Sequence, residues 1–332
     1  MKVYNEQSDN KLTEQLETKL ELIRKNKNFN AKRYIDDKSK ILNKYMKKSN
    51  LSACVVAVSG GIDSAVVLSL VNYASRQENS PIKKIVPLLL PISNSVGITN
   101  QDSATKRGET LCKSLNLHPY IIDLGIINAE ITKLVEEKLN ITASSWAIGQ
   151  LGPYSRTPIL CYTTSLLTQE GFNAITIGTT NRSEFSYIGY VGKFSDEAVD
   201  IQLISDIYKS EVYLVAKELN VIDDIMKATP SGDMYDNRTD EMVFGASYDF
   251  LELYLEFLNL SKQEQTDFLK DLNKESLNKF NFYGNNIENL HKYNLHKYLG
   301  KSPAIHLDLW DSSTVGGLDN YYEITKRILN DL

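Results

Sequence analysis

The stretch VVAVSGGIDSAVVLSL, residues 55–70, decides the fold because it reads as a strand, a tight turn and a helix in direct succession. Its first four residues are apolar and mostly β-branched, which is typical of a buried strand. Gly60 and Gly61 follow, and adjacent glycines permit a positive φ and a close approach of a ligand to the backbone. A helix that begins just after them presents free N–H groups, so the turn is a predicted anion site.

Asp63 is the unusual member of this turn, since its carboxylate would repel a bound phosphate. The conflict disappears if Asp63 holds a divalent cation that the phosphates share. Ser59 and Ser64 add hydroxyl groups to the same turn. The glycine pair alone also fits a plain strand-to-helix turn in which Asp63 is a helix cap. The turn is not a Walker P-loop, because the chain contains no G-x-x-x-x-G-K-[ST] sequence.

The chain around this turn alternates between two kinds of apolar pattern. Patterns of buried strands at 85–91, 119–124 and 174–177 alternate with helical patterns such as 101–116 and 127–139. The alternation predicts an α/β fold, a doubly wound parallel sheet with helices on both faces and right-handed crossovers. Ligands of such sheets bind beyond the carboxyl ends of the strands, which is where the SGGIDS turn lies.

A second polar turn, GTTNRSE at 178–184, leaves the carboxyl end of another predicted strand. Its Glu184 and the earlier Asp63 give two carboxylates from separate strand ends, as a Mg²⁺ ion shared with a triphosphate requires. A solvated polar loop is the alternative. Lys209 is predicted in the first turn of a helix capped by Asp206, where a cation opposes the helix dipole. A bound phosphate would explain that position, and an ordinary surface lysine would also fit.

The two ends of the chain are predicted to lie outside the α/β domain. Residues 1–48 show a charged helical pattern, and 261–332 are predicted as a helical or irregular extension, so the domain itself covers 49–260. The segment 143–158 is rich in Gly, Pro and Ser, which predicts a surface loop. Residues 261–280 are expected to form two short helices.

The bulk composition is that of an ordinary globular protein of 332 residues with a formal net charge of −5. That charge argues against nucleic acid as the main partner, because phosphate backbones favour basic surfaces. Cys54, Cys112 and Cys161 show no metal spacing and fit a reducing compartment. The chain has no apolar run of about 18 residues and no signal-peptide pattern, so we expect no membrane segment and a cytoplasmic location.

Four motifs in order carry a resemblance to a known family. They are SGGIDSA, GTTNRSE, KFSDEAVDIQLISDIYKSEV and TPSGDMYDNRTDEMVFGASYDFL, within residues 30–260. The first resembles the pyrophosphate-binding loop of the N-type ATP pyrophosphatases, and the four together look like the NAD synthetases. The resemblance implies a Rossmann-like ligase that amidates nicotinic acid adenine dinucleotide (deamido-NAD) with ammonia. ATP is the co-substrate, Mg²⁺ is the metal, and an adenylated carboxylate is the intermediate that precedes NAD, AMP and pyrophosphate.

The same resemblance assigns roles to individual residues. The residues implied to bind ATP are Ser59, Gly60, Gly61, Ile62, Asp63, Ser64, Thr179, Lys209 and Ser231. The residues implied to bind the dinucleotide are Arg156, Lys193, Asp196 and Asp200. Asp63, Lys209 and Ser231 would be catalytic, and Asp63 and Glu184 would be the metal ligands.

The chain departs from the family pattern on the acceptor side. Glu197 and Ala198 stand where the family usually has two glycines, and 149–158 lacks the usual Asn and arginine pair. Two alternatives therefore stay open, an adenylating ligase for a different carboxylate and a nucleotide-binding protein without catalysis. About 50 residues precede the module, which resembles the short ammonia-dependent enzymes without a glutaminase domain. Those enzymes are homodimers, so we expect a homodimer with the chain termini at the interface.

Overall fold

The strand that precedes the SGGIDS turn lies at the centre of a six-stranded parallel sheet. A computed structural model describes residues 11–93, 101–232, 238–297 and 305–307 of the chain. The strands are β1 (Ala53–Ala57), β2 (Lys84–Leu89), β3 (Tyr120–Ile121), β4 (Ala174–Gly178), β5 (Ile201–Gln202) and β6 (Ile305–His306). Their order across the sheet is β3-β2-β1-β4-β5-β6.

Thirteen helices lie in the described part of the chain. They are α1 (Glu14–Lys27), α2 (Ala31–Lys48), α3 (Ile62–Ser75), α4 (Gln101–Ser114), α5 (Gly125–Leu139), α6 (Ser145–Gln169), α7 (Arg182–Phe185), α8 (Lys209–Glu218), α9 (Asp223–Met226), α10 (Asp240–Phe244), α11 (Tyr248–Leu258), α12 (Lys262–Lys270) and α13 (Lys274–Asn294). None of these described helices is both long enough and apolar enough to span a bilayer.

The strand order reverses between β1 and β4, which makes this pair the topological switch point of the sheet. Val55 of β1 is in register with Val86 of β2 on one side and with Thr176 of β4 on the other. Alternate residues of β1 pack into different hydrophobic cores, one on each face of the sheet. Cys54 packs with α2 and α3, and Val55 packs with α6. Helices therefore cover both faces, and the predicted doubly wound parallel sheet is confirmed.

A second core lies beside the sheet and consists of helices from both ends of the chain. Leu16 and Leu20 of α1 pack with Phe250 of α11 and with Phe280 and Tyr283 of α13. The apolar stripes of α1 and α2 are thus buried within this chain. The division of the chain at residues 48 and 260 stays a prediction.

The predicted surface loop at 143–158 is wrong, because most of it belongs to the 25-residue helix α6. Pro153 and Pro158 lie inside that helix, where each removes a backbone donor and its ring crowds the carbonyl of the residue four positions earlier. Tertiary contacts hold the helix in place. Asn128 donates to Ser155 Oγ at 2.9 Å, and a Cβ atom on Gly152 would lie 3.0 Å from Ile92 Cδ1. Packing against the sheet and α5 therefore outweighs a local composition that is typical of loops.

Two smaller predictions are also corrected. Asp206 does not cap α8, whose N-cap is Tyr208. The buried Asp206 carboxylate instead accepts from Tyr34 Oη at 2.8 Å and lies 3.0 Å from Lys38 Nζ. Of the two short helices expected at 261–280, the first is α12 with Ser261 as its cap, but the second, α13, continues to residue 294.

The buried Lys38–Asp206 pair generates a prediction about stability. Lys38 Nζ also donates to Leu307 O at 2.6 Å, and the Lys38 and Asp206 side chains are 1% and 0% exposed. Lys38→Met would leave a buried carboxylate without its cation, so we expect the free energy of unfolding to fall by about 3 to 5 kcal/mol. Urea denaturation measures this change.

Lys227 provides the matched control, because it forms an i,i+4 pair with Asp223 at 2.8 Å with both side chains in solvent. Lys227→Met should leave the urea midpoint unchanged. Equal effects of the two substitutions would show that the buried pair does not hold the fold together.

Candidate active site

The turn between β1 and α3 has a backbone that only glycine fits. Gly60 has a φ of +77°, and a Cβ atom there would lie 2.0 Å from the carbonyl oxygen of Ala104 on α4. The Ser59 and Ser64 hydroxyls lie 3.1 Å apart, and the Gly61 N–H donates to Ser59 Oγ at 3.3 Å. Gly61 is also the N-cap of α3 and has no side chain to accept from the first turn. The helix N-terminus is therefore an anion site that faces the switch point.

Two carboxylates and one ammonium group meet beside this turn. Lys209 Nζ, at the start of α8, lies 2.5 Å from Asp63 Oδ2 and 2.8 Å from Glu184 Oε1. Asn181 caps α7 and donates its side-chain amide to Asp63 Oδ1 at 2.9 Å. The structure thus brings together the two carboxylates predicted at the ends of separate strands and the lysine predicted in the first turn of a helix.

A tyrosine fixes the orientation of the second carboxylate. The buried Tyr248 hydroxyl, at the start of α11, lies 2.6 Å from Glu184 Oε1 and 2.8 Å from Asp240 Oδ2. One hydroxyl has one hydrogen, so it cannot donate to two ionised carboxylates at once. Burial, together with the charge of Glu184, raises the pKa of Asp240 to about 6. Asp240 therefore takes up a proton before Glu184 does, and Tyr248 then donates to Glu184.

The charges of this cluster stabilise one another. Burial alone would raise the pKa of Glu184, but the charge and hydrogen bond of Lys209 and the hydrogen bond from Tyr248 hold that pKa below its usual value. Asp63 differs, because burial and the charge of Glu184 raise its pKa despite the contact with Lys209. Burial alone would lower the pKa of Lys209, but the charges of Asp63, Glu184 and Asp240 raise it well above its usual value. The ammonium group and the Glu184 carboxylate are therefore both charged at neutral pH.

A cavity of about 380 Å³ opens over the turn and the charge cluster. Its wall includes α4, α6, the segments at 190–192 and 228–232, and Lys297 from beyond the end of α13. The predicted site residues that line it are Ser59, Gly61, Ile62, Asp63, Ser64, Arg156, Thr179, Glu184, Asp196, Lys209 and Ser231. One cavity therefore collects side chains that are distributed over more than 170 positions of the sequence.

Comparison with known proteins shows the family. The model of the family described as NAD synthase matches residues 34–299, which is more than half of the chain. This chain belongs to the NAD synthase family. Three predictions are confirmed: that the chain resembles this family, that it is an enzyme, and that it is a ligase of NAD biosynthesis.

Individual relatives agree with the assignment to the NAD synthase family. A protein named NH(3)-dependent NAD(+) synthetase from Campylobacter jejuni subsp. doylei is 34% identical over 205 residues, 61% of this chain and 74% of that protein. The solved NMN synthetase from Francisella tularensis has a TM-score of 0.59 at 25% identity, over 79% of this chain and 96% of that one. The solved NH3-dependent NAD synthetase from Campylobacter jejuni is 23% identical and shares the fold. Its TM-score is 0.58 over 83% of this chain and 99% of that one.

Three residues predicted for ligand binding do not line the cavity of this NAD synthase family member. Gly60 shapes the turn, and its carbonyl accepts from Arg107 Nε at 3.0 Å. Lys193 Nζ donates to the carbonyl of His296 at 2.8 Å. Asp200 Oδ2 accepts from the backbone N–H and hydroxyl of Thr176 at 2.7 and 2.8 Å, which ties β4 to the start of β5. Their roles in ligand binding stay predictions.

The charge cluster fits a metal ion that arrives with a nucleotide. Among the described residues, no group of three or more His, Cys, Asp or Glu side chains forms a complete metal site. Mg²⁺, however, usually takes only one or two protein carboxylates and completes its shell with phosphates and water. Asp63 and Glu184 both contact Lys209 Nζ, so the two carboxylates lie close enough to share one ion, and their role as metal ligands beside that ammonium group stays a prediction.

The sequence analysis missed several residues of this site. Tyr190 and Arg107 line the cavity, and Tyr248 orients Glu184. Tyr248 follows Ser247, which caps α11, and its apolar neighbours make it look like a core residue. Arg107 lies on a charged helix whose pattern does not show that it reaches the turn at Gly60. Only the tertiary fold reveals these contacts.

The conformation of Gly60 generates a second prediction. Gly60→Ala combines an unfavourable positive φ, which costs about 1 to 2 kcal/mol, with a steric conflict at Ala104. We expect the free energy of unfolding to fall by more than this cost, and we expect ATP binding to be lost. Urea denaturation measures the first effect and titration calorimetry measures the second.

Gly171→Ala is the matched control, because Gly171 has a φ of +87° and a Cβ atom there would meet nothing within 4 Å. It should cost about 1 kcal/mol and retain ATP binding. If Gly60→Ala binds ATP as well as Gly171→Ala does, the turn is not the phosphate site.

Proposed function

We propose that this protein amidates the carboxylate of nicotinic acid adenine dinucleotide (deamido-NAD) with ammonia and consumes ATP. The observation that carries the proposal is the meeting of Asp63, Glu184 and Lys209 beside a helix N-terminus at the switch point of the sheet. Membership of the NAD synthase family and relatives named NH(3)-dependent NAD(+) synthetase support it. We place the reaction in the cytoplasm.

The chemistry requires activation of the acceptor, because a carboxylate oxygen is a poor leaving group toward ammonia. The acceptor carboxylate oxygen would attack the α-phosphorus of ATP, the bond between that phosphorus and the bridging oxygen breaks, and pyrophosphate leaves. Ammonia would then add to the adenylated carbonyl, lose a proton and displace AMP. The products are NAD, AMP and pyrophosphate, and no covalent bond to the protein is needed.

The ATP side of the cavity supplies fixed positive potential to this reaction. The N–H groups at the start of α3 and the hydroxyls of Ser59 and Ser64 would bind the phosphates. Lys209 would stabilise charge on the reacting phosphate, with Thr179 and Ser231 at the same cavity. When bound by Asp63 and Glu184, Mg²⁺ would supply further neutralisation of the phosphate charge.

The acceptor side would be formed by groups from more distant elements. Arg156 on α6 donates Nε to the carbonyl of Leu90 at 3.2 Å and lines the cavity beside Asp196. Burial lowers the pKa of Lys297, although the carboxylates of Asp196 and Glu197 face it and oppose that effect. We assign dinucleotide binding to Arg156, Asp196, Lys193 and Asp200, the last two with the support of the family pattern alone.

We also propose a homodimer, with an interface that differs from the one expected at the chain termini. Most apolar residues of α1 and α2 are buried within the chain, with Leu22 as an exposed exception, whereas α5 exposes apolar side chains along its length. Ile126, Leu134 and Leu139 are 80%, 56% and 63% exposed, and Trp146 and Tyr162 of α6, which contacts α5, are 57% and 65% exposed. Apolar exposure of this extent is typical of a protein–protein interface.

The first test of the function is production of AMP and NAD from ATP, Mg²⁺, ammonium and deamido-NAD. We expect NAD with ammonium and none with glutamine, and a loss of at least about 100-fold in kcat for Asp63→Asn and for Glu184→Gln. The matched control is Asp36→Asn, since Asp36 on α2 accepts from Tyr73 Oη at 2.7 Å outside the cavity lining. Full activity in both site variants would contradict the metal assignment.

The same assay separates the acceptors. Because one solved relative is an NMN synthetase, nicotinic acid mononucleotide is supplied in parallel with deamido-NAD. We expect AMP formation to depend on deamido-NAD. Faster AMP formation with the mononucleotide would keep the ATP half of the proposal and replace the acceptor.

The dimer interface is tested by Leu134→Glu, which places a charge in the middle of the exposed face of α5. We expect sedimentation velocity to show a dimer for the wild type and a monomer for the variant. Leu22→Glu on α1 is the control, because Leu22 is 58% exposed and Leu134 is 56% exposed. A wild-type monomer, or a dimer that both variants retain, would contradict this interface.

A further inference from the structure

Three successive carbonyl groups of one cavity segment are bound by side chains from the end of α13. His291 Nδ1 lies 2.9 Å from the carbonyl oxygen of Tyr187, so Nδ1 must carry the hydrogen. Asn294 donates its side-chain amide to the carbonyl of Ile188 at 2.7 Å, and Lys297 Nζ donates to the next carbonyl, at residue 189, at 2.8 Å. Donors three residues apart thus bind consecutive carbonyls of an irregular segment.

The contact has further support around the first donor. The rings of Tyr187 and His291 are stacked, with centroids 3.9 Å apart and an interplanar angle of 3°. The hydroxyls of Tyr187 and Tyr254 both donate to Glu288 Oε1, at 2.7 and 2.9 Å. Residues of α11 and α13 therefore fix the start of the segment as well as its carbonyl groups.

The bound segment, 187–192, continues into three residues that line the cavity, and we call the whole segment the cavity wall. Tyr190, Val191 and Gly192 line the cavity. The Tyr190 N–H donates to the Glu184 carbonyl at 2.8 Å, and the Gly192 N–H donates to Asp196 Oδ2 at 2.7 Å. A shift of the cavity wall would thus move both a neighbour of the proposed metal ligand and a proposed dinucleotide ligand.

We propose that His291 and Asn294, together with Lys297, are positioning residues that hold the cavity wall in place for the acceptor dinucleotide. This inference rests on the proposed function. The turn after β1 has no bond in this series, and the Tyr190 N–H binds the backbone carbonyl of Glu184 and not its carboxylate, so the positioning acts mainly on the acceptor. Without these donors, the three carbonyl groups would hydrogen-bond to water instead. The backbone of the cavity wall would then no longer be held in one conformation.

The test uses variants that separate the hydrogen bonds from packing. His291→Phe keeps an aromatic ring beside Tyr187 but removes the donor, whereas His291→Asn keeps a donor near the position of Nδ1 and loses the ring. Asn294→Leu removes the second donor at similar volume. The matched control is Asn173→Leu, because Asn173 donates to the carbonyl of Asn50 at 2.8 Å at the opposite end of the sheet.

Steady-state kinetics give the first measurement. For His291→Phe and Asn294→Leu we expect the KM for deamido-NAD to rise about fivefold to tenfold, as for the loss of one hydrogen bond, with the KM for ATP changed less than twofold. His291→Asn and Asn173→Leu should both have the wild-type KM for deamido-NAD. Equal rises of both KM values, or no rise at all, would overturn the proposal.

Hydrogen–deuterium exchange of 187–193 gives a measurement that does not depend on the reaction. Faster exchange there in His291→Phe and Asn294→Leu, but not in His291→Asn or Asn173→Leu, is the expected result. If the wild type makes no NAD, the proposed function fails on that result alone. Unchanged exchange in this segment would then overturn the positioning role, and faster exchange would support it.

Discussion

The burial of one ammonium group, that of Lys209, is the constraint on which the site and the centre of the sheet depend. Removal of such a group from water costs several kcal/mol, so its charge persists only in contact with carboxylates. Those carboxylates are Asp63 and Glu184, which follow β1 and β4. The parallel pairing of these strands brings the two carboxylates to the same ammonium group. The sheet order therefore places both carboxylates where the buried ammonium group needs them.

The sequence predicts the parts of this arrangement that are encoded locally. The β-branched run before Gly60 specifies β1, and the apolar run after Asp63 specifies α3. Because the carboxyl ends of parallel strands share one edge, a general rule of such sheets then places Asp63 close to Glu184. Prediction succeeds here because each step uses either a short pattern or a topological rule that does not depend on particular side-chain contacts.

Prediction fails where a distant residue outweighs a local preference. Residues 143–158 have the composition of a loop, but contacts with Ile92 and Asn128 hold them in α6. Asp206 has the preference of a helix cap, yet Lys38, more than 160 positions earlier, binds its carboxylate. Tyr248 resembles a core residue, and its role depends on carboxylates from two other elements. No window of sequence contains the competing interactions.

The same distinction explains why the two halves of the cavity differ in how readily they can be identified. The proposed phosphate site consists of backbone N–H groups, whose geometry a short glycine turn and a helix start fix by themselves. The proposed acceptor side instead consists of side chains from α6, the segment at 190–192 and Lys297, and each is positioned by long-range contacts. Glu197 stands where the family usually has a glycine. A change of this kind on the proposed acceptor side can alter acceptor binding without disturbing the turn at Gly60. If the proposed sites are correct, selection of the acceptor is structurally separable from activation by ATP, because different parts of the fold form the two sites.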